Sequence, residues 1–156
     1  MAQADIHIIP YDSRYAADFK RLNLEWLNKY FTVEPIDDEV LSHPENIIRD
    51  GGALLLAQTQ GAIVGTCALL HEGHGHFEVS KTAVTAGQQG KGIGRKLVEA
   101  AIAEFYELNG RELVLETNTA LKSAIALYES LGFEHAPRPT PSPYVRANVY
   151  MVYRPV

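Results

Sequence analysis

Gln88-Gln89-Gly90-Lys91-Gly92-Ile93-Gly94-Arg95-Lys96 joins an apolar, β-compatible run, Phe77 to Val84, to a stretch in which Leu97, Val98, Ala101, Ile102 and Phe105 recur at helical spacing. A strand that turns through glycines into a helix leaves the helix's first N–H groups unpaired. It also aims the helix dipole at the same spot, so the turn suits an anion. The dipole contributes only about 0.3 to 1 kcal/mol at an exposed end. Direct N–H bonds, with Lys91, Arg95 and Lys96 nearby, must therefore supply the rest. A flexible connector without a ligand is the plainer alternative. Two common nucleotide signatures fail: Gly87 and Gly92 have the P-loop spacing, but Ile93 stands where the lysine is required. Gly90, Gly92 and Gly94 alternate, whereas the dinucleotide fingerprint needs a longer step to its last glycine.

Upstream of this turn, Ile6, Ile8 and Ile9 read as a short strand stopped by Pro10, with Asp12 or Ser13 as the cap of a helix. Tyr15, Phe19, Leu22 and Trp26 form that helix's apolar stripe. Thr32 to Asp50, with Pro35 and Pro44, is irregular and holds one or two short helices. Ala53 to Ala57 and Ile63 to Leu70 form a hairpin across Gln58 to Gly61. Downstream, Gly110 ends the long helix, Leu113 to Thr117 is a strand, and Leu121 to Leu131 is a helix closed by Gly132. A Pro-rich loop, Pro137 to Pro143, leads to a closing strand, Tyr144 to Tyr153. No repeat or linker interrupts the chain, which reads as one α+β domain over residues 1–156.

A 46% apolar, 21% charged chain is globular in composition rather than disordered. Its net charge of -5 removes the broad attraction that nucleic acid or an anionic membrane surface requires. Cys67, the single cysteine, sits in an apolar run and has no internal disulfide partner, so it reads as a buried structural thiol in a reducing compartment. The N-terminus carries no basic segment followed by an apolar one, and the apolar runs fall short of a membrane span, so the expected location is cytoplasmic. His71, His74 and His76 sit in a glycine-containing loop with only Glu72 and Glu78 as further ligands, which is poor metal spacing.

Gln89-x-x-Gly92-x-Gly94 resembles the Gln/Arg-x-x-Gly-x-Gly/Ala signature of the GNAT superfamily of acyl-CoA-dependent N-acetyltransferases. Ala124-Ile125-Ala126-Leu127-Tyr128-Glu129-Ser130-Leu131-Gly132-Phe133 is similar to that family's Ala-x-x-Leu-Tyr-x-x-x-Gly-Phe helix end, and the order of elements matches from Ile6 to Tyr153. The resemblance implies a three-layer α/β/α domain with a mixed, mostly antiparallel sheet, splayed between two strands to bind acetyl-CoA. It assigns the pyrophosphate to the segment Gln89, Gly90, Lys91, Gly92, Ile93 and Gly94, with Arg95 beside it. It gives the pantetheine arm to the backbone of Thr82, Ala83 and Val84, and a further cofactor contact to Asn118. Many relatives carry Asn where this chain has Leu121. The closing strand, if exposed, would pair two subunits as a homodimer, as in many relatives.

Attack on a thioester needs a neutral amine, and a lysine-like amine with pKa about 10.4 is short of that state at pH 7 by about 4 to 5 kcal/mol. The resemblance makes Glu78 the general base, acting through water; a solvent-facing strand carboxylate is the alternative. Strand alternation puts Glu78, Ser80 and Thr82 on one face. Tyr128 stands where the family keeps a hydroxyl near the leaving sulfur, although Ile125, Tyr128 and Leu131 also fit a core stripe. A backbone N–H of Thr82 to Val84 would hold the oxyanion. The acceptor expected is a small-molecule or peptide amine. Glu34, Asp37, Asp38 and Glu39 either start a helix or line a cation-attracting pocket, walled by Trp26 and Tyr30. Arg146 reads more simply as an exposed terminal arginine than as a carboxylate ligand in the cleft. The rival functions are a catalytically silent acyl-CoA sensor and a nucleotide-binding protein.

Overall fold

The computed structural model describes residues 5–155; the residues that the single-domain expectation adds at the ends, 1–4 and 156, lie outside this range. The first strand, β1 (His7–Pro10), ends at its proline, which an edge position tolerates because the missing N–H is not asked to pair. Asp12 accepts a bond from the Arg14 N–H at 3.0 Å and starts a single helical turn that runs into α1 (Ala16–Tyr30). The irregular segment contains α2 (Pro35–Ser42) and α3 (Glu45–Arg49). Glu34 caps α2 through a reciprocal capping box with Asp37, and Pro35 takes the first helical position, where its fixed φ suits the turn.

The hairpin forms as expected from β2 (Ala53–Thr59) and β3 (Ala62–His71), followed by β4 (His76–Val84) and α4 (Ile93–Glu107). Then come β5 (Glu112–Thr117), α5 (Lys122–Ser130), β6 (Phe133–His135) and β7 (Val149–Tyr153). The seven strands among the described residues join one sheet in the order β1-β2-β3-β4-β5-β7-β6. Every neighbouring pair is antiparallel except β4 and β5, which the α4 crossover makes parallel. The mixed, mostly antiparallel sheet of the α+β reading is present.

Two cores sandwich the sheet. Leu97, Val98, Ala101 and Phe105 of α4 pack with Cys67, Leu69, Val79, Leu113, Leu115 and Tyr128 on one face. Phe19, Leu22 and Leu27 of α1 pack with Leu41, Leu54, Leu56 and Ala68 on the other. The closing strand differs from expectation: residues 144–148 form a loop, and only Val149–Tyr153 is strand. Because β7 inserts between β5 and β6, it is not the exposed strand that pairing through it presupposes; among the described residues the edges are β1 and the three-residue β6. No helix among the described residues is long and apolar enough to cross a membrane.

Candidate active site

The parallel pairing of β4 with β5 covers only His76 to Val79 against Glu112 to Leu115. Beyond it β4 stays with β3 and β5 stays with β7, so the two strands part. The split opens a cavity of about 580 Å³ that reaches from the glycine-rich turn and the start of α5 to the end of α1. Glu78, Thr82, Ala83, Val84, Gln89, Gly90, Gly92, Ile93, Gly94, Asn118 and Tyr128, named separately from the sequence, all line it. Lys91 and Arg95 flank the turn and are exposed.

An irregularity in β4 shapes this wall. Thr66 pairs with Ala83 and Ala68 with Ser80, so Cys67 on β3 faces two residues, Lys81 and Thr82, on β4. Lys81 is the extra residue of a β-bulge and adopts φ 52, a conformation that costs a non-glycine residue roughly 1 to 2 kcal/mol. A buried chain of hydrogen bonds holds it: Thr66 Oγ1 donates to the Lys81 carbonyl at 2.9 Å, and Asn23 Nδ2 donates to Thr66 Oγ1 at 3.1 Å and to the Phe19 carbonyl at 2.9 Å. The extra residue reverses the alternation. Glu78 and Ser80 keep to the α1 face, paired with Leu70 and Ala68, whereas Thr82 turns to the α4 face and donates to Cys67 Sγ at 3.4 Å. Glu78, Ser80 and Thr82 therefore do not share a face, contrary to simple alternation.

In the turn, Gly90 and Gly92 both have φ 79, and a Cβ at either would meet nothing within 4 Å. The backbone is open to a close ligand on that side, and only glycine adopts this conformation without strain. The first intrahelical bond of α4 runs from the Lys96 N–H to the Gly92 carbonyl at 3.1 Å, leaving the N–H groups of Ile93, Gly94 and Arg95 without helical partners. Gln89 braces the turn by donating its side-chain amide to the Val84 carbonyl at 3.1 Å. Lys91 reaches Gln88 at 3.2 Å and Arg95 reaches Ser130 at 2.6 Å. The start of α5 opens on the same cavity, with no side-chain cap at Leu121. Asn118 accepts from the Ala120 N–H at 2.8 Å and donates to the Arg146 carbonyl at 2.7 Å, so its side chain ties the β5 end to the loop before β7.

Two titrating groups in the cavity are displaced in useful directions. Burial, reinforced by the neighbouring Glu72 carboxylate, pushes Glu78 up to about 7, against the opposing pull of Arg138 and Lys81. Tyr128 is pushed up to about 12 by burial and by the nearby Cys67, with the Thr82 hydroxyl working the other way. It is thus a proton donor throughout the neutral range, and it is both a core aromatic and a cavity-lining residue. Burial raises the Cys67 thiol to about 11, which makes it a poor nucleophile.

At the α1 end the acidic cluster starts a helix, the first of its two readings, and none of its four residues lines the cavity. Asp37 is fully buried, and burial alone would raise its pKa, yet hydrogen bonds from Arg146, the Glu34 N–H and Lys81 hold it at about 2. Arg146 Nη1 and Nη2 bond the Asp37 carboxylate at 2.7 Å each, and Nη1 also reaches Glu34 at 3.1 Å. Lys81 Nζ donates to Asp37 at 3.1 Å and to the Tyr144 hydroxyl at 3.0 Å. Asp37 and Glu34 are consumed internally, and Asp38 and Glu39 are exposed, with Asp38 3.6 Å from Lys20. Arg146 is not a free terminal arginine: its side chain is 17% exposed. Lys81, Asn23 and Thr66 were not singled out from the sequence. Lys81 had a signal, a lysine on the parity that Phe77, Val79 and Ala83 give to the core. Among the described residues, no three His, Cys, Asp or Glu side chains group as a metal site.

A mixed sheet parted beside a glycine-rich helix start is the frame of the acyl-CoA-dependent acetyltransferases, whose co-substrate is acetyl-CoA. Residues 20–133 match the model of the acetyltransferase (GNAT) family, and the chain belongs to that family. It is 34% identical over 112 residues to the uncharacterized N-acetyltransferase YjgM of Escherichia coli (strain K12), a match covering 68% of this chain and 64% of the relative. Among solved structures, a GNAT-family acetyltransferase from Staphylococcus aureus Mu50 superposes with a TM-score of 0.86 at 24% identity, covering 95% of this chain and 98% of that one. The protein yncA from Salmonella typhimurium, solved with its cofactor acetyl-CoA, gives 0.74 at 21% identity, covering 94% of this chain and 92% of that one.

Proposed function

We propose that this protein transfers an acetyl group from acetyl-CoA to a primary amine by direct attack within a ternary complex. The observation that carries the reading is the pairing, in one cavity, of an open glycine turn at a helix start with a carboxyl group poised near neutrality and a phenol that stays protonated. The free N–H groups of Ile93, Gly94 and Arg95 and the open side of Gly90 and Gly92 suit the pyrophosphate. The β4 edge from Thr82 to Val84, released from β5, suits the pantetheine arm and offers N–H groups to the developing oxyanion.

In this reading Glu78 accepts the amine's proton, directly or through one water, as the N–C bond forms at the thioester carbonyl. The C–S bond then breaks, and Tyr128 donates its proton to the departing sulfur. A carboxyl pKa of about 7 keeps a substantial fraction ionised at neutral pH while holding the base strong enough to take a proton. The free, buried Cys67 supports a reducing, cytoplasmic setting.

The test is an acceptor screen that follows free thiol release from acetyl-CoA, with calorimetric CoA binding in parallel. Amine-dependent thiol release is the expected outcome. Tight CoA binding with no turnover on any amine would leave a silent acyl-CoA sensor instead.

A further inference from the structure

The residues at the α1 end of the cavity carry more hydrogen-bond donors than the protein satisfies. Lys81, Tyr144 and Arg146 line the cavity, while their partners Asp37 and Glu34 do not. The cations therefore stand between the carboxylates and the cavity. Arg146 commits Nη1 to both carboxylates and one bond of Nη2 to Asp37, which leaves its Nε–H and a second Nη2–H. The ammonium of Lys81 spends two of its three donors, on Asp37 and Tyr144. Tyr144 accepts from Lys81, so its own O–H is free to donate. Among the described residues these remaining donors have no acceptor.

The donors are also held rigid. The bidentate Arg146–Asp37 pair fixes the plane of the guanidinium, and the Tyr144 ring lies 4.5 Å from the Arg146 guanidinium carbon and 4.6 Å from Lys81 Nζ. The bulge places Lys81 on the same side of β4 as Glu78, close enough for its charge to lower the Glu78 pKa. A base and a set of fixed cationic donors thus line one cavity, together with the packed rings of Trp26 and Phe31.

From this arrangement we infer that the acceptor is a small amine that also carries a carboxylate, with the carboxylate held by Arg146, Lys81 and Tyr144 while its amine meets Glu78. The inference rests on the acetyltransfer reading and narrows its acceptor class. A free polyamine would bring a second cation to a wall that presents donors, because Asp37 and Glu34 stand behind Arg146 and Lys81 and do not line the cavity. A neutral amide would offer the spare donors of Arg146, Lys81 and Tyr144 only uncharged acceptors, which make the weaker hydrogen bonds.

The experiment compares L-α-amino acids with their C-terminal amides and with a polyamine, on the full chain with acetyl-CoA, reading kcat/KM by thiol release. The acids are expected to exceed the matched amides by at least about ten-fold, chiefly through KM. Tyr144→Phe and Arg146→Gln should shrink that ratio toward one. Because Arg146→Gln also strips a partner from Asp37, Tyr144→Phe and the wild-type comparison stand without it. In parallel, calorimetry of the same acids and amides against the CoA-bound wild type reads recognition without chemistry. Turnover of amides or the polyamine as good as that of the acids would overturn the inference and leave the acetyltransfer reading intact. Absence of turnover with every acceptor would sink that reading, and the calorimetric preference for acid over amide would then decide the carboxylate site alone.

Discussion

Arg146 and Asp37 meet through two parallel 2.7 Å hydrogen bonds that join the loop before β7 to the start of α2. The contact is the buried anchor between the chain's C-terminal segment and the irregular segment after α1. Removing the charge from Asp37, which is fully buried, leaves Lys81 without an anionic partner and Arg146 with Glu34 alone. Asp37→Asn should therefore destabilise the fold by about 3 to 5 kcal/mol, read by urea or thermal denaturation. The sign with pH follows from a folded pKa near 2: the stabilisation is complete above the unfolded carboxylate range and is lost as pH falls toward 2. Wild type and variant should converge in acid and separate above pH 5.

Glu78 has the opposite sign. Its folded pKa of about 7 lies above the unfolded value, so its contribution favours folding below about 4.5 and weakens as pH rises to 7. Glu78→Gln should raise stability at pH 8 by roughly 2 to 3 kcal/mol relative to wild type and change little at pH 4. Equal pH dependence of melting in the two proteins would refute the raised pKa.

Activity should follow the same ionisation. Turnover of the wild type is expected to climb through about pH 7 as Glu78 becomes a carboxylate. Glu78→Gln should depress turnover most near neutrality and less in alkaline buffer, where the acceptor amine loses its own proton. A pH–rate profile unaltered by the substitution removes Glu78 as the base.

Tyr128→Phe deletes a donor whose proton is held firmly by burial and keeps the ring that packs 6.0 Å from Phe133. Turnover should drop about ten-fold or more with CoA affinity nearly unchanged. A variant as fast as wild type returns the residue to a packing role.

At the turn, Gly92→Val combines a left-handed backbone position with a side chain on the open face. CoA affinity measured by calorimetry should fall by at least ten-fold, roughly 1.4 kcal/mol, in a protein that still folds. Gly94→Ala, whose Cβ would lie 3.8 Å from Leu127, should fold normally and report only on crowding of the cradle.

Much of this architecture was legible because it is written in local patterns. The glycine turn, the α4 stripe and the Leu127-Tyr128 helix end each depend on residues a few positions apart. The bulge was not legible from alternation, since it is fixed by Asn23 and Thr66, far from Lys81 in sequence. Alternation assumed an unbroken strand and so placed Thr82 with Glu78. The burial of Asp37 was hidden for a similar reason. Glu34 is the helix start that the sequence indicated, but Asp37, one turn on, is buried by partners from β4 and from the loop at Arg146. The β6 strand, with three residues, was too short to announce itself.

The extra residue at Lys81 also gives the proposed reaction two proton routes. Glu78 looks out on the α1 side of the sheet, and Thr82 with Tyr128 looks out on the α4 side, while the parted strands let one substrate pass between them. The proton lifted from the amine is then not the proton handed to sulfur. In the proposed cycle the base and the acid are therefore separate groups on opposite faces, each set by its own surroundings: Glu78 by Glu72, Arg138 and Lys81, and Tyr128 by Cys67 and Thr82.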